Sequence, residues 1–167
     1  LLDKSLRQQK FISFDPNYRQ FLYRTRLSSY LEQAWHFLQH CHFCKLSLEE
    51  AGLLTGCSQA TDALNSLAKN SQAVIAITLG KEGTLLRTGT EHFHIDSIPV
   101  NAVDSTGAGD AFVGAVLYQL SQLSVQQMPD KNGWMRIITQ ANKAGARTCE
   151  YLGAMEAFRH LSADIFS

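Results

Sequence analysis

Short runs of β-branched and aromatic residues alternate along this chain with stretches of helical apolar spacing. That alternation confines it to an α/β fold with a mostly parallel sheet and flanking helices. The clearest strand is AVIAITLG at 73–80, with four β-branched residues in eight and a terminal glycine. KFISF (10–14) and HCHFCKL (40–46) read as further strands, and GTLLRT (83–88) with HFHIDSI (92–98) as a hairpin on the sheet edge. Pro16 pushes Asp15 out of helical geometry, so the first strand closes in a turn at Asp15-Pro16-Asn17. Leu31, Trp35 and Leu38 sit at helical spacing within 28–39, with Ser28 or Ser29 expected as the cap. Ser47 and Glu50 form an S-x-x-E capping box for a helix through about Leu54. Further helices are expected over Thr61–Lys69, Gly107 to about Leu123, Gly133–Glu150 and Ala154–Leu161, and an exposed loop over Ser121–Gly133. In such sheets ligands bind beyond the carboxyl ends of the strands. The polar turns Asp15–Arg19, Lys45–Glu50, Gly80–Gly83 and Asp104–Asp110 are predicted to lie at those ends.

Composition narrows the function classes. The 167 residues fit one domain, and 15 Lys+Arg balance 15 Asp+Glu, which argues against a nucleic-acid or anionic-membrane binder. No apolar run approaches the roughly 18 residues of a membrane span, and no signal peptide is visible at the start. Four cysteines do not make a disulfide scaffold at this length, so the cytoplasm is the expected compartment.

The sharpest chemical feature is Asp104-Ser105-Thr106-Gly107-Ala108-Gly109-Asp110-Ala111-Phe112, followed directly by the helix VGAVLYQL. Three small residues in succession let the backbone approach a ligand closely, and their N–H groups stand at a helix start that favours an anion. Such a turn suits phosphate oxygens or the charge that develops in phosphoryl transfer. Asp110, in the first helical turn, is placed to accept a proton from an attacking hydroxyl, and a late-acting base suffices for that chemistry. The plainer reading is an N-capping Ser or Thr on a glycine turn.

This D-x-T-G-A-G-D-x-F run resembles the C-terminal signature of the ribokinase-like (PfkB) carbohydrate kinases. Asp15-Pro16-Asn17-Tyr18-Arg19 resembles the D-x-N-x-R segment of the fructokinase branch, and Lys45–Glu50 the segment carrying N-x-x-E. Thr78-Leu79-Gly80-Lys81-Glu82-Gly83 resembles the T-L-G-x-x-G turn, and Ala141–Ala144 with Gly153-Ala154 the final helix and its loop. The resemblance implies a three-layer, Rossmann-like architecture and an ATP-dependent sugar kinase. Asp110 would be the catalytic base, and Gly107, Ala108 and Gly109 the anion hole. Thr78, Gly80 and Gly83 would lie at the nucleotide phosphates, and Asn142 near the adenine. Glu50 would act through water on magnesium, and Asp104 and Thr106 would help hold a monovalent cation such as potassium. Asp15, Asn17 and Arg19 would lie near the sugar and the transferred phosphate. Ser47 stands where many members have Asn, which leaves its direct role open.

Weaker signals have plainer readings. Gly80 and Gly83 alone would be ordinary turn residues, and Glu50 alone the partner of Ser47. Arg19, Arg24 and Arg26 belong to a basic region that reads as a solvated loop, with Arg19 as the candidate phosphate ligand. Cys41 and Cys44 form C-x-x-C beside His40 and His42. On a strand, positions three apart face opposite ways, so one metal between them is not expected. His92 and His94 share a strand face without a third ligand, and Trp35 and Trp134 read as packing residues.

The expectation is therefore residues 1–167 as the C-terminal, nucleotide-binding part of one sugar-kinase domain, with the N-terminal half and its β lid elsewhere. The expected reaction is phosphorylation of fructose to fructose 6-phosphate. The open alternatives are another sugar or nucleoside kinase of the family (a ribokinase or ketodeoxygluconate kinase) and a non-catalytic nucleotide-binding fragment. The 167-residue piece is expected to be inactive alone and to self-associate, as a homodimer or otherwise, through an exposed sheet edge.

Overall fold

The computed structural model describes residues 1–23, 25–123 and 128–161. They form two compact units, one of residues 1–79 and 85–93, the other of residues 80–84 and the described residues from 94 onward. Arg24 and part of the Ser121–Gly133 loop lie outside the described residues.

The first unit is built on a five-stranded sheet in sequential order. Strands β1 (Ser13–Phe14), β2 (Phe43–Ser47) and β3 (Val74–Thr78) run parallel, with Ser13 opposite Phe43 and Phe43 opposite Val74. β4 (Thr84–Thr88) and β5 (Glu91–Ile95) follow as a hairpin through a two-residue turn, a connection open only to antiparallel neighbours. The crossovers carry α2 (Gln20–Tyr23), α3 (Leu27–Leu38), α4 (Leu48–Thr55) and α5 (Ala60–Ala68), after an opening α1 (Leu2–Arg7). β2 and β3 are buried along most of their length, with Lys45 as the charged member of β2. Phe43, Leu46, Ile75 and Ile77 are fully buried, together with Leu38, Leu64 and Leu67 from the helices. Burial of each such side chain contributes roughly 1.5–3 kcal/mol. Trp35 packs against this core.

Two local expectations need correction. Neither Ser28 nor Ser29 caps α3. The helix starts one residue earlier, with Arg26 as an N-cap that makes no side-chain bond, and Ser29 instead accepts a hydrogen bond from Gln33 within the helix. Cys41 precedes β2 rather than lying on it, so strand alternation does not separate it from Cys44. The Cys44 thiol is driven well above its ordinary range by burial and then by its hydrogen bond to Cys41.

The second unit pairs α6 (Ala108–Ser121) with α7 (Lys131–Thr148). Phe112, Ala115 and Val116 of α6, and Trp134, Ile137, Ile138, Ala141 and Ala144 of α7, are its buried residues at helical spacing. Gly145 of α7 lets the helices approach, since a Cβ there would stand 3.1 Å from the Ala108 carbonyl oxygen. Asp130 caps α7, its side chain accepting from Gly133 N at 2.7 Å. In place of the helix expected over Ala154–Leu161 there is a single 3₁₀ turn, Glu156–Arg159, after Gly153 in left-handed conformation. Among the described residues no helix is long and apolar enough to cross a membrane.

Candidate functional site

The predicted site residues fall into two groups, one in each unit. In the first, Glu50 is the pivot. The capping box is present: Ser47 Oγ accepts from Glu50 N (3.1 Å) and Glu50 Oε2 accepts from Ser47 N (2.8 Å). Glu50 Oε1 also accepts from Tyr18 N at 2.7 Å. Both oxygens of this buried carboxylate therefore each accept one backbone N–H. Asp15 accepts from Lys45 Nζ (3.2 Å) and from Asn17 N (3.2 Å). Burial pushes its carboxyl above the ordinary range, and Lys45 opposes that push. Asn17 (φ 46°) and Arg19 are exposed, the guanidinium donating to the Tyr18 carbonyl at 3.2 Å. Thr78 donates its hydroxyl to the Leu46 carbonyl (3.2 Å) and so ties β3 to β2. Lys45 was not singled out from the sequence, because its partner lies thirty positions away.

In the second unit the Asp104–Asp110 turn leads into α6. Gly107 is the N-cap, at φ 84°, and no side chain caps the helix. A Cβ on Gly107 would approach Ala154 Cα to 2.9 Å. Neither Ser105 nor Thr106 plays the capping role of the plainer reading. Thr106 instead gives its amide (2.9 Å) and its hydroxyl (2.7 Å) to Asp104 Oδ1. Asp104 Oδ2 accepts from Gly153 N at 2.8 Å and joins this turn to the loop after α7. Ala108 N donates to Ser105 O, whereas Gly109 and Asp110 stand in the first turn, whose amides have no intrahelical partner. Asp110 is exposed and has no hydrogen-bond or ion-pair partner among the described residues.

The nucleotide-turn glycines differ from one another. Gly80 (φ 61°) has nothing within 4 Å of where a Cβ would stand, so its outer side is open. Gly83 (φ 100°) is packed, and a Cβ there would overlap the Ile95 carbonyl oxygen and stand 2.8 Å from Ser97 N. Asn142 is buried. Its Oδ1 accepts from the Thr84 hydroxyl (2.6 Å), and its Nδ2 donates to Ile95 O (3.0 Å) and Asp96 O (3.2 Å). Both amide protons are thus used inside the protein. His92 and His94 are exposed, and His94 pairs with Asp96.

The Asp104 carboxyl lies below its ordinary range because the Thr106 amide, the Thr106 hydroxyl and the Gly153 amide favour its charged form. A depressed folded pKa stabilises the fold above the unfolded value, ~3.9, and that stabilisation is lost as pH falls through the folded value. Asp104→Asn is expected to melt below wild type at neutral pH. The gap should close only as pH drops below ~4, as followed by thermal unfolding across a pH series.

Residues 1–160, running through both units, match the family described as pfkB family carbohydrate kinase. Fructokinase of Escherichia coli is 39% identical over 150 residues, covering 88% of this chain and 47% of that enzyme. Aminoimidazole riboside kinase of Salmonella typhimurium is 39% identical over 114 residues, covering 68% of this chain and 35% of its own. A crystal structure of fructokinase from Vibrio cholerae O395 with fructose, ADP and calcium bound superposes with a TM-score of 0.86 at 29% identity, over 93% of this chain and 50% of that one. The chain thus spans about half the length of the E. coli fructokinase and of the V. cholerae structure.

Proposed function

Because the chain belongs to the pfkB family of carbohydrate kinases, we propose that the protein carrying it transfers the γ-phosphoryl group of ATP to the 6-hydroxyl of fructose. The observation that carries this reading is the exposed Asp110, without a side-chain partner among the described residues, in the first turn of a helix that starts on a left-handed glycine and has no side-chain cap. The sugar hydroxyl oxygen attacks the γ-phosphorus, its proton passes to Asp110, the bond to the β-phosphate oxygen breaks, and ADP leaves. The first-turn amides of Gly109 and Asp110, which have no intrahelical partner, serve the negative charge that grows in that step. Gly80, left-handed and open on its outer side, gives the nucleotide phosphates close approach to the backbone. Gly83 packs that turn against Ile95 and Ser97, Thr78 stands at the end of β3 before it, and Asn142 lies on the adenine side.

Magnesium supplies charge neutralisation on the phosphates, and Glu50 suits it through water because each of its oxygens already accepts a backbone N–H. A monovalent cation such as potassium would meet backbone oxygens near Asp104 and Thr106, whose side-chain oxygens are tied to each other. Asn17 and Arg19 face the sugar and the transferred phosphate, with Asp15 beneath them. The similarity to an aminoimidazole riboside kinase supports a second acceptor class, a riboside. Four free cysteines support a cytoplasmic setting. β1, at the end of the strand order, is the edge through which the 167 residues alone would self-associate.

The test is ADP release by the protein carrying this chain, with Mg-ATP and a panel of fructose, ribose, ketodeoxygluconate and aminoimidazole riboside. Fructose is expected to give the highest kcat/KM. Turnover confined to the riboside would move the acceptor assignment, and no acceptor-dependent ADP release would overturn the kinase reading.

A further inference from the structure

Lys45 is the buried cation of the first unit. Its side chain on β2 is 9% exposed, and that of its partner Asp15 is 19% exposed. An ammonium under such cover persists because it is paired, and losing the partner would strand a charge in the core. The second Asp15 oxygen accepts from Asn17 N, and the next amide, Tyr18 N, donates to Glu50 Oε1. Glu50 is itself locked in the capping box of α4. The turn from Asp15 to Tyr18 is therefore pinned at one end to β2 and at the other to α4. Between the pins, Asn17 holds a left-handed backbone, φ 46°, which asparagine accepts more readily than most non-glycine residues. The Tyr18 ring packs on Tyr23 and Tyr30 at centroid distances of 6.0 and 4.9 Å. What the pinned turn leaves exposed is Asn17 and Arg19. Lys45 itself is covered, and its Nζ lies 3.2 Å from Asp15 Oδ2.

We propose that Lys45 is a positioning residue for the phosphoryl acceptor: through Asp15 it sets the backbone of the Asp15–Arg19 turn and so the places of Asn17 and Arg19. This rests on the kinase reading above. A displaced turn should weaken acceptor binding and leave the nucleotide side, which lies on other elements, nearly unchanged.

The experiment compares wild type, Lys45→Met, Lys45→Arg and the neutral pair Lys45→Gln with Asp15→Asn. It measures acceptor KM, ATP KM and kcat, with hydrogen exchange at the Tyr18 amide. Lys45→Met is expected to raise the acceptor KM by about 10- to 100-fold, the usual effect of ångström-scale misplacement, with ATP KM within about twofold. Lys45→Arg, which keeps the charge, should recover most of the loss. The neutral pair removes the stranded charge. It serves where Lys45→Met fails to fold, and it should show the same acceptor defect in a stable protein. Faster exchange at Tyr18 should accompany the defect. A folded variant with wild-type acceptor KM and wild-type Tyr18 exchange would overturn the role of Lys45. A wild type without turnover would instead remove the kinase reading, and the acceptor role with it.

Discussion

Asp110→Asn is expected to lower kcat by roughly 10²- to 10⁴-fold, the usual contribution of a general base. Nucleotide KM should change little, because the amides beside it are untouched. The structure makes this a clean substitution. Asp110 is exposed and has no partner among the described residues, so the fold loses no bond with it. The remaining structural effect is its interaction with the helix dipole, about 0.3–1 kcal/mol for an exposed first-turn carboxylate. A large fall in kcat beside a nearly constant melting temperature is the expected pair of results. Steady-state kinetics and thermal unfolding on the same preparations check it. A variant with near wild-type kcat would sink the base assignment.

Gly83→Ala should have the largest effect on stability. The backbone at φ 100° is disfavoured for any L side chain, at about 1–3 kcal/mol. Its Cβ would also collide with the Ile95 carbonyl and crowd Ser97 N, and overpacking of this kind costs roughly 1–3 kcal/mol more. Together these approach a sizeable share of the 5–15 kcal/mol typical of a folded domain, equivalent to a fall in melting temperature on the order of 10 °C. Gly80→Ala is the matched control. Its φ of 61° is also left-handed, but no atom lies within 4 Å of the new methyl, so only about 1 kcal/mol should be lost. Should both variants melt alike, the packed and open sides of this turn have been misassigned. Weakened ATP binding in Gly80→Ala, with the fold retained, would mark the open side as the phosphate side.

What the sequence disclosed, and what it hid, follows from how far apart the interacting groups lie. The Ser47–Glu50 box was legible because its residues are three apart and their bonds are local. The buried runs of β2 and β3 were legible because apolar β-branched residues mark a covered strand. Asp110 was legible through the small residues before it, although its lack of partners was not. The link from Asn142 to Thr84 spans 58 positions, and the Asp104 bond to Gly153 spans 49. No local pattern encodes either, so the internal bonds of Asn142 and Asp104 could not be read from the sequence. At Ser28 and Ser29 the cap signal was outweighed, because Arg26 began the helix first and left both serines inside its opening turn. Cys41 and Cys44 were misplaced by a strand boundary: Phe43 opens β2, so strand alternation does not apply to Cys41.

The division of labour among these three carboxylates has an evolutionary consequence. Glu50 holds Ser47 and Tyr18, and Asp104 holds Thr106 and Gly153, whereas Asp110 has no side-chain partner among the described residues. A lineage that ceased to use the reaction would still be constrained at Glu50 and Asp104 by folding alone. At Asp110 drift would cost only the helix-dipole interaction, about 0.3–1 kcal/mol. Among descendants of such a gene, the residue found at 110 would be the ledger of whether the chemistry was still under selection, while the other two carboxylates would persist either way.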